Sequence, residues 1–312
     1  MSTRHLVDPH LLPLVDTMPP LEATAETLPQ LRAMFGPMLA ERELPDLPVQ
    51  SEELHISSGD GDRTIRCLSV RPEKMAASAP AILHFHGGGH VLGVPEMDLP
   101  VLMRWAAQIG CMVLSVDYRL APETKFPGPM DDAYAALRWL HEEHAELGID
   151  PARIAVAGSS AGGAMAACLC LMARDRGEYP IAFQMLEGPR LDDPDHDTRT
   201  ENPFTGEFVW TRTASAFCWS AYMGDQEANA YASAARAEDL AGLPPAFIGV
   251  GALDFFVDEC LSYSQRLLNA GTPVELIVYA GCFHGFQMVP DAPVTQRAHS
   301  DCLRALEKAL AA

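Results

Sequence analysis

The stretch Ala157–Gly163, written AGSSAGG, restricts the fold more than any other part of this sequence. The hydrophobic run RIAVA (153–157) leads into this stretch, and an apolar helical pattern follows it. The stretch therefore predicts a sharp turn from a strand into a helix. Such a turn needs small residues two places before and two places after its apex, because larger side chains would collide there. Gly158 and Gly162 bracket Ser160 in this way, whereas Ser159 is bracketed by two alanines. Ser160 is therefore the predicted nucleophile.

Strands and helices alternate along most of the chain. ELHIS and TIRCLSV predict two early strands, and continuous hydrophobic runs predict six buried ones after them. The six later strands are predicted at residues 80–85, 111–116, 153–158, 182–187, 246–251 and 274–279. The helices are predicted at residues 98–109, 130–147, 161–174, 257–270 and 293–311. This order is typical of an α/β fold, and we expect a mostly parallel sheet of eight strands with helices on both faces.

Two regions interrupt this alternation. Residues 1–48 hold two weak helical patterns that prolines break into short pieces, which indicates an appendage to the core. Residues 191–238 form an insertion in which a polar run gives way to an aromatic-rich one, and we expect it to be a lid. The core is then expected at residues 49–190 and 239–312. The lid carries the candidate substrate-pocket residues Phe204, Phe208, Trp210, Phe217 and Trp219.

The composition limits the class of partner. The formal net charge of −20 over 312 residues repels nucleic acid and anionic lipid headgroups. No apolar run is long enough to cross a bilayer, and the N-terminus lacks a basic start followed by an apolar core. The eight cysteines form no CxxC pair, which suits a reducing compartment. We therefore expect a soluble cytoplasmic protein with no nucleic-acid partner and no membrane span.

Motifs for a metal or cofactor are incomplete. The run of Asp193, Asp195 and Asp197 begins like a calcium loop but lacks the later glycine and glutamate, so it predicts a solvated acidic loop. The stretch HEEH falls one residue short of a zinc motif, and Asp254 takes the place of the third glycine of a dinucleotide fingerprint in GVGALD. We expect no cofactor and no metal.

A base and an orienting acid are needed beside Ser160, because a serine hydroxyl is a weak nucleophile on its own. Ligand-facing residues of α/β sheets lie just past the carboxyl ends of strands. Asp254 follows the run AFIGVG, and His284 lies in the loop GCFHGF after the run VELIVY. These two residues are the predicted acid and base, with Asp258 and Glu259 at the start of the next helix as alternative acids.

The developing negative charge of an acyl-transfer reaction needs hydrogen-bond donors. His86 and the three glycines after it directly follow a predicted strand, where their backbone N–H groups are unshielded by side chains. The residue after the nucleophile, Ala161, adds another N–H group. The sequence therefore predicts an oxyanion hole beside Ser160.

Four signatures in this order resemble the bacterial hormone-sensitive lipase-like (family IV) carboxylesterases of the α/β-hydrolase superfamily. They are HFHGGGHVLG (84–93), SVDYRLAPETKFP (115–127), VAGSSAGG (156–163), and LDFFVDE (253–259) together with HGF (284–286). The resemblance implies the α/β-hydrolase fold, a helical cap made of residues 1–48 and the insertion, and hydrolysis of short-chain carboxylic esters without a cofactor. It implies these roles: Ser160 as nucleophile, His284 as base, Asp254 as its orienter, and Gly88, Gly89 and Ala161 as oxyanion donors.

The sequence departs from the family pattern at two places. Ser159 stands where the family usually has aspartate or threonine, so the hydrogen bonds that support the loop must be rearranged. Glu187, Gly188 and Pro189 replace a frequent Tyr-Pro pair after the sixth core strand. We expect Glu187 to be a buried structural carboxylate, with a polar contact in the site as the alternative.

The function expected from these residues is a serine carboxylesterase for short- to medium-chain esters. Lactones or amides are alternative substrates. A binding protein on the same fold is the alternative from another class, as in the plant gibberellin receptors, which resemble this family but lack the catalytic histidine. We also expect a homodimer through the exposed edge of the last strand, Val274 to Tyr279.

Overall fold

The computed structural model describes residues 2–40, 42–192 and 202–311. Within them the strands are β1 (Val49–Ser57), β2 (Thr64–Pro72), β3 (Ala79–Phe85), β4 (Met112–Val116), β5 (Ile149–Ser159), β6 (Phe183–Glu187), β7 (Ala246–Gly251) and β8 (Val274–Tyr279). They form one eight-stranded sheet in the order β1-β2-β4-β3-β5-β6-β7-β8. β2 pairs antiparallel with β1 and β4, and all the remaining pairs are parallel. The predicted mostly parallel sheet of eight strands is confirmed.

Helices cover both faces of this sheet. In the described part of the chain they are α1 (Leu12–Thr17), α2 (Leu28–Ala40), α3 (Leu99–Ile109), α4 (Gly128–Glu142), α5 (His144–Leu147), α6 (Ala161–Arg176), α7 (Arg212–Met223), α8 (Val257–Asn269) and α9 (Pro293–Leu310). Apolar residues of α3 and α9 pack on one face, and those of α4, α6 and α8 pack on the other. The parallel strands β3, β4 and β7 are buried along their whole length, which explains their continuous hydrophobic runs.

The carboxyl ends of five neighbouring strands, β3, β5, β6, β7 and β8, meet at one edge of the sheet. The loops after them carry every residue predicted for catalysis. This location agrees with the general rule that ligands of open α/β sheets bind outside the carboxyl ends of the strands.

None of the helices that the structure describes is long and apolar enough to span a membrane.

The two predicted cap regions contact these loops. The N–H of Asp8 donates to the carbonyl of Gly281 at 3.0 Å, and the N–H of Leu21 donates to the carbonyl of Val209 at 2.8 Å. Arg32 of α2 donates from Nε to the Val91 carbonyl at 2.8 Å. The division into residues 1–48, a core and an insertion 191–238 stays a prediction. The acidic run with Asp193, Asp195 and Asp197 lies outside the described residues.

A buried carboxylate anchors the loop after β4. Asp132 of α4 has a side chain that is 1% exposed, and it accepts hydrogen bonds from Arg63 Nη1 and Arg119 Nε, both at 2.8 Å. The loop that carries Arg119 continues to Tyr118, whose hydroxyl donates to the His86 carbonyl at 2.8 Å. Asp132 therefore holds the segment after β3 indirectly, through Arg119 and the neighbouring Tyr118.

The substitution Asp132→Asn is expected to lower the free energy of unfolding by about 1.5–3 kcal/mol, because Arg63 and Arg119 lose their charged hydrogen-bond acceptor and only Arg63 keeps another carboxylate, that of Asp60. Asp131→Asn is the matched control, since Asp131 lies next to it on the same helix but is exposed. Urea unfolding of both variants measures the difference. A loss of equal size in the two variants would show that the ion pairs of Asp132 do not carry this stability.

Candidate active site

The turn at Ser160 has the geometry that the sequence predicts. Ser160 ends the strand-to-helix connection with φ 54° and ψ −117°, a conformation that costs a residue with a side chain of order 1–3 kcal/mol. A Cβ on Gly158 would lie 2.4 Å from the Gly162 carbonyl carbon, and a Cβ on Gly162 would lie 2.0 Å from the Phe85 carbonyl oxygen. Both positions therefore require glycine. The start of α6 packs so closely on β3 that the Ser160 hydroxyl is held at the edge of the sheet.

Two hydrogen bonds join the residues predicted for catalysis. His284 Nε2 lies 2.9 Å from Ser160 Oγ, and His284 Nδ1 lies 2.8 Å from Asp254 Oδ2. The other oxygen of Asp254 accepts the N–H of Phe256 at 2.9 Å. Because a carboxylate only accepts, Nδ1 carries the proton and Nε2 is left to accept from the serine. This tautomer is the one that a general base needs.

The alternative acids do not reach His284. Glu259 accepts the N–H of Leu191 at 2.7 Å, and Asp258 lies 3.4 Å from the Asn202 amide nitrogen. Asp254 is only 3% exposed and is held within the loop after β7. Of the three candidate carboxylates, Asp254 is the one that the structure places on the imidazole.

Phe256 and Gly188 are neighbours of the hydrogen-bonded triad of Ser160, His284 and Asp254 that were not predicted from the sequence. The edge of the Phe256 ring meets the His284 ring at 4.9 Å between centroids, with the planes 88° apart. A Cβ on Gly188 would lie 3.1 Å from Asp254 Oδ2 and 3.5 Å from His284 Nδ1, so a larger residue would crowd this hydrogen bond. The available signal for Gly188 was a Gly-Pro pair directly after a buried strand.

The glycines after β3 lie against Ser160. A Cβ on Gly87 would be 3.6 Å from Ser160 Cβ, so the loop lies beside Ser160. Among the described residues, no acceptor bonds the N–H groups of Gly88 and Gly89. Ala161 is the first residue of α6, so its N–H has no partner within the helix. Three backbone N–H donors that have no acceptor among the described residues thus belong to segments that meet at Ser160.

The five aromatic candidates for the substrate pocket do not share one location. Trp210 contacts the site: its ring lies 5.9 Å from the His284 ring, and a Cβ on Gly89 would be 2.8 Å from its Cη2. Phe208 packs on Phe283, Trp219 packs on Arg190, and the half-buried Phe217 packs on the core. Phe204 is 53% exposed. Their roles in binding stay predictions.

Glu187 turns its side chain away from the triad hydrogen bonds. Its carboxyl group interacts with Gln287 and Cys302, on the side of the sheet covered by α9. Burial, together with the charge of Asp98, raises the pKa of Glu187 to about 7. The backbone carbonyl of Glu187 accepts the N–H of Ser160 at 2.8 Å. This placement supports the structural role over a contact in the site.

Ser159 points beneath the glycine loop. A Cβ on Gly87 would lie 3.1 Å from the Ser159 hydroxyl oxygen. Ser159 lies opposite Glu187 in the pairing of β5 with β6. Ser159, the first serine of the motif, thus lies beside the glycine loop, while Ser160 meets His284.

Comparison with known proteins places this geometry in a family. Residues 82–288 match a family model described as the alpha/beta hydrolase fold. Carboxylesterase NlhH of Mycobacterium tuberculosis is 35% identical over 310 residues, which cover 97% of this chain and 96% of that protein. Esterase LipI of the same species is 36% identical over 289 residues, with 90% and 88% covered.

Solved structures give the same relationship. The structure of a bacterial heroin esterase superposes with a TM-score of 0.92 at 39% sequence identity, and all of both chains is covered. Esterase LipW from Mycobacterium marinum superposes with a TM-score of 0.91 at 32% identity, covering 99% of this chain and 98% of that one.

The raised pKa of Glu187 predicts a pH-dependent stability effect. Its carboxyl group titrates near pH 7 when folded and near pH 4.5 when unfolded, so charging it lowers stability as the pH rises through this window. Glu187→Gln mimics the neutral form. At pH 8 the variant is expected to be more stable than the native protein by about 1–2 kcal/mol in the free energy of unfolding, and so to unfold at a higher temperature. Near pH 4.5 the two proteins are expected to be equally stable.

Glu275→Gln is the control for this effect, because a hydrogen bond from Arg304 lowers the pKa of Glu275. No gain at pH 8 is expected there. Thermal unfolding at both pH values measures the effect, and a gain for Glu187→Gln that is equal at both would rule out its titration as the cause.

Proposed function

The chain belongs to the α/β-hydrolase fold family, in its hormone-sensitive lipase-like group, and we propose how this carboxylic ester hydrolase works: Ser160 is the nucleophile, His284 the general base and Asp254 its orienter. The observation that carries the proposal is the continuous pair of hydrogen bonds from Ser160 Oγ through the imidazole to Asp254, at 2.9 and 2.8 Å. A binding-only protein would have no use for an aligned base.

The first half of the reaction forms an acyl-enzyme. His284 Nε2 takes the proton of Ser160 as its oxygen attacks the ester carbonyl carbon. The N–H groups of Gly88, Gly89 and Ala161 receive the negative charge on the carbonyl oxygen, and each such donor contributes on the order of 3 kcal/mol. The tetrahedral intermediate then collapses, and the imidazolium gives its proton to the leaving alkoxide.

The second half releases the acid. A water molecule loses its proton to His284 Nε2 and attacks the acyl carbon, the same three donors hold the second oxyanion, and Ser160 leaves with the proton from the imidazolium. Asp254 stays charged throughout and stabilises the imidazolium. Every step uses side chains and backbone groups of this chain, so no cofactor enters the mechanism that we propose.

We propose short- to medium-chain acyl groups as the preferred substrates. Trp210 supports this, because its ring fills the space beside Gly89 and 5.9 Å from the His284 ring, where an acyl chain would extend from Ser160. A large rigid side chain so close to the reacting carbon restricts the length of the acyl chain.

We also propose the cytoplasm as the compartment and a homodimer as the assembly. The eight cysteines are all free and buried, which suits a reducing environment. β8 forms one end of the sheet, and Val278 in it is 41% exposed. An edge strand of this kind has unpaired backbone groups that a second copy can pair.

Replacing the nucleophile is expected to remove catalysis. Ser160→Ala should lower kcat/KM for p-nitrophenyl butyrate by about 10⁴-fold or more, because acylation has no attacking oxygen. Ser159→Ala is the matched control and should keep activity within about tenfold. Circular dichroism checks that both variants fold. Near-native turnover by folded Ser160→Ala would contradict the assignment.

Removing the Trp210 ring is expected to lengthen the preferred acyl chain. In a p-nitrophenyl ester series from acetate to dodecanoate, Trp210→Ala should raise the ratio of kcat/KM for octanoate over butyrate by about tenfold. Phe204→Ala, which removes an exposed ring of the same insertion, should leave the ratio unchanged. An equal ratio in the two variants would remove Trp210 from the pocket.

The dimer is tested by its mass. Light scattering at micromolar concentration should give twice the 33.8 kDa of the chain, and Val278→Lys should give the mass of the monomer, because a lysine on an edge strand opposes pairing. A native protein that scatters as a monomer would contradict the proposed assembly.

A further inference from the structure

Arg190 is a fully buried arginine beside the active site. It follows β6 by three residues, and only 2% of it is exposed. Its backbone N–H donates to the Ser160 carbonyl at 3.2 Å, which ties it to the turn that carries the nucleophile. None of the catalytic steps proposed for Ser160, His284 and Asp254 uses the Arg190 side chain.

No carboxylate of the described residues pairs with the Arg190 guanidinium, and its Nη1 has no hydrogen-bond partner among them. A guanidinium keeps its charge in proteins, and burying such a charge without compensation is strongly unfavourable. The contacts that compensate it are the face of Trp219, at 4.5 Å from Cζ to the ring centroid, the face of Tyr222 at 5.9 Å, and one nitrogen of His90. All three belong to the cap helix α7 or to the loop after β3.

The hydrogen bond from Arg190 to His90 determines the protonation state of the imidazole ring. Arg190 Nη2 lies 3.2 Å from His90 Nδ1, and because a guanidinium only donates, Nδ1 must accept and the ring is neutral. Burial, and next the charge of Arg190 and of His86, hold the pKa of His90 well below its usual range. The neutral ring stacks on Tyr222 with 4.0 Å between centroids and 14° between planes.

His90 directly follows the glycines of the oxyanion hole and holds a left-handed backbone conformation. Its φ is +66°, which is unfavourable for a residue with a side chain, so contacts of that side chain must maintain it. A backbone hydrogen bond also holds this residue to the loop after β4, because the His90 carbonyl accepts the N–H of Ala121 at 2.8 Å. On the other side, a Cβ on Gly89 would be 2.8 Å from Cys218 Sγ of α7.

We propose that Arg190 is a positioning residue that sets the oxyanion loop: through His90 and the aromatic face of α7 it holds Gly88 and Gly89 in the conformation that receives the oxyanion. The same cation ties the cap to the loop, since Trp219 and Tyr222 pack on it while Cys218 packs on Gly89. This inference rests on the proposed function, which supplies the oxyanion role of the two glycines.

The test replaces the charge and keeps the bulk. Arg190→Met should lower kcat for p-nitrophenyl butyrate by about 10- to 100-fold with KM within about threefold, because the donors are misplaced only for the charge of the transition state. The melting temperature of the variant should equal or exceed that of the native protein, because an apolar side chain avoids the desolvation cost of a buried charge. Arg190→Lys should recover part of the lost kcat.

The partner residue and a control sharpen the test. His90→Phe keeps a ring on Tyr222 but removes the acceptor, and the double variant with Arg190→Met should lose no more kcat than the larger of the two single losses. Arg176→Met is the control, because Arg176 also packs over an aromatic ring, that of Tyr134 at 3.9 Å, but at the opposite end of α6 from Ser160. It should keep full kcat.

The outcomes separate this inference from the proposed function. Folded Arg190→Met that keeps native kcat, or losses in the double variant that multiply, would overturn the role of Arg190. A small organophosphate should still label Ser160 in Arg190→Met, because the hydrogen bonds of the triad do not involve the guanidinium. A native protein that takes no label on Ser160 would instead overturn the proposed function.

Discussion

The close packing of α6 on β3 is the constraint on which the rest of the site depends. Gly162 lies so near the Phe85 carbonyl that no Cβ fits, and Ser160, two residues before it, adopts an unfavourable conformation. The strain is sustained by the sheet, because the Ser160 N–H is bound by the Glu187 carbonyl and its own carbonyl accepts from Arg190. The Ser160 hydroxyl held in this way lies within hydrogen-bond distance of His284 Nε2.

From that turn the site extends across neighbouring strands, each of which contributes one kind of group. The loop after β3 holds the proposed backbone donors, the loop after β7 holds Asp254 and the loop after β8 holds His284. Gly188 and Arg190, which follow β6, contact residues of all three loops. Such a division needs each loop to be held independently. Asp132 anchors the segment that supports the loop after β3, Arg32 and Asp8 tie residues 1–48 to the loops, and Arg190 fills the space between the loop and α7.

Sequence reasoning predicted the sheet well because buried parallel strands and the sharp glycine turn leave local signals. It also named Ser160, Asp254 and His284, since strand ends and chain order narrow the choice, and the structure brings these three together. It could not place the aromatic residues of the insertion, where Trp210 reaches His284 but Phe204 lies in solvent. Arg190 and His90 meet from positions 100 residues apart, and no local pattern marks such a contact.

Intact-mass spectrometry after exposure to a small organophosphate, followed by peptide mapping of the adduct, tests whether Ser160 is an activated nucleophile. An activated serine in an assembled triad attacks phosphorus, whereas an ordinary serine does not. If Ser160 is activated as proposed, each chain should carry one adduct, on Ser160, and esterase activity should be lost in proportion to labelling. A folded protein that takes no label, or takes it on Ser159 while Ser160 stays free, would contradict it.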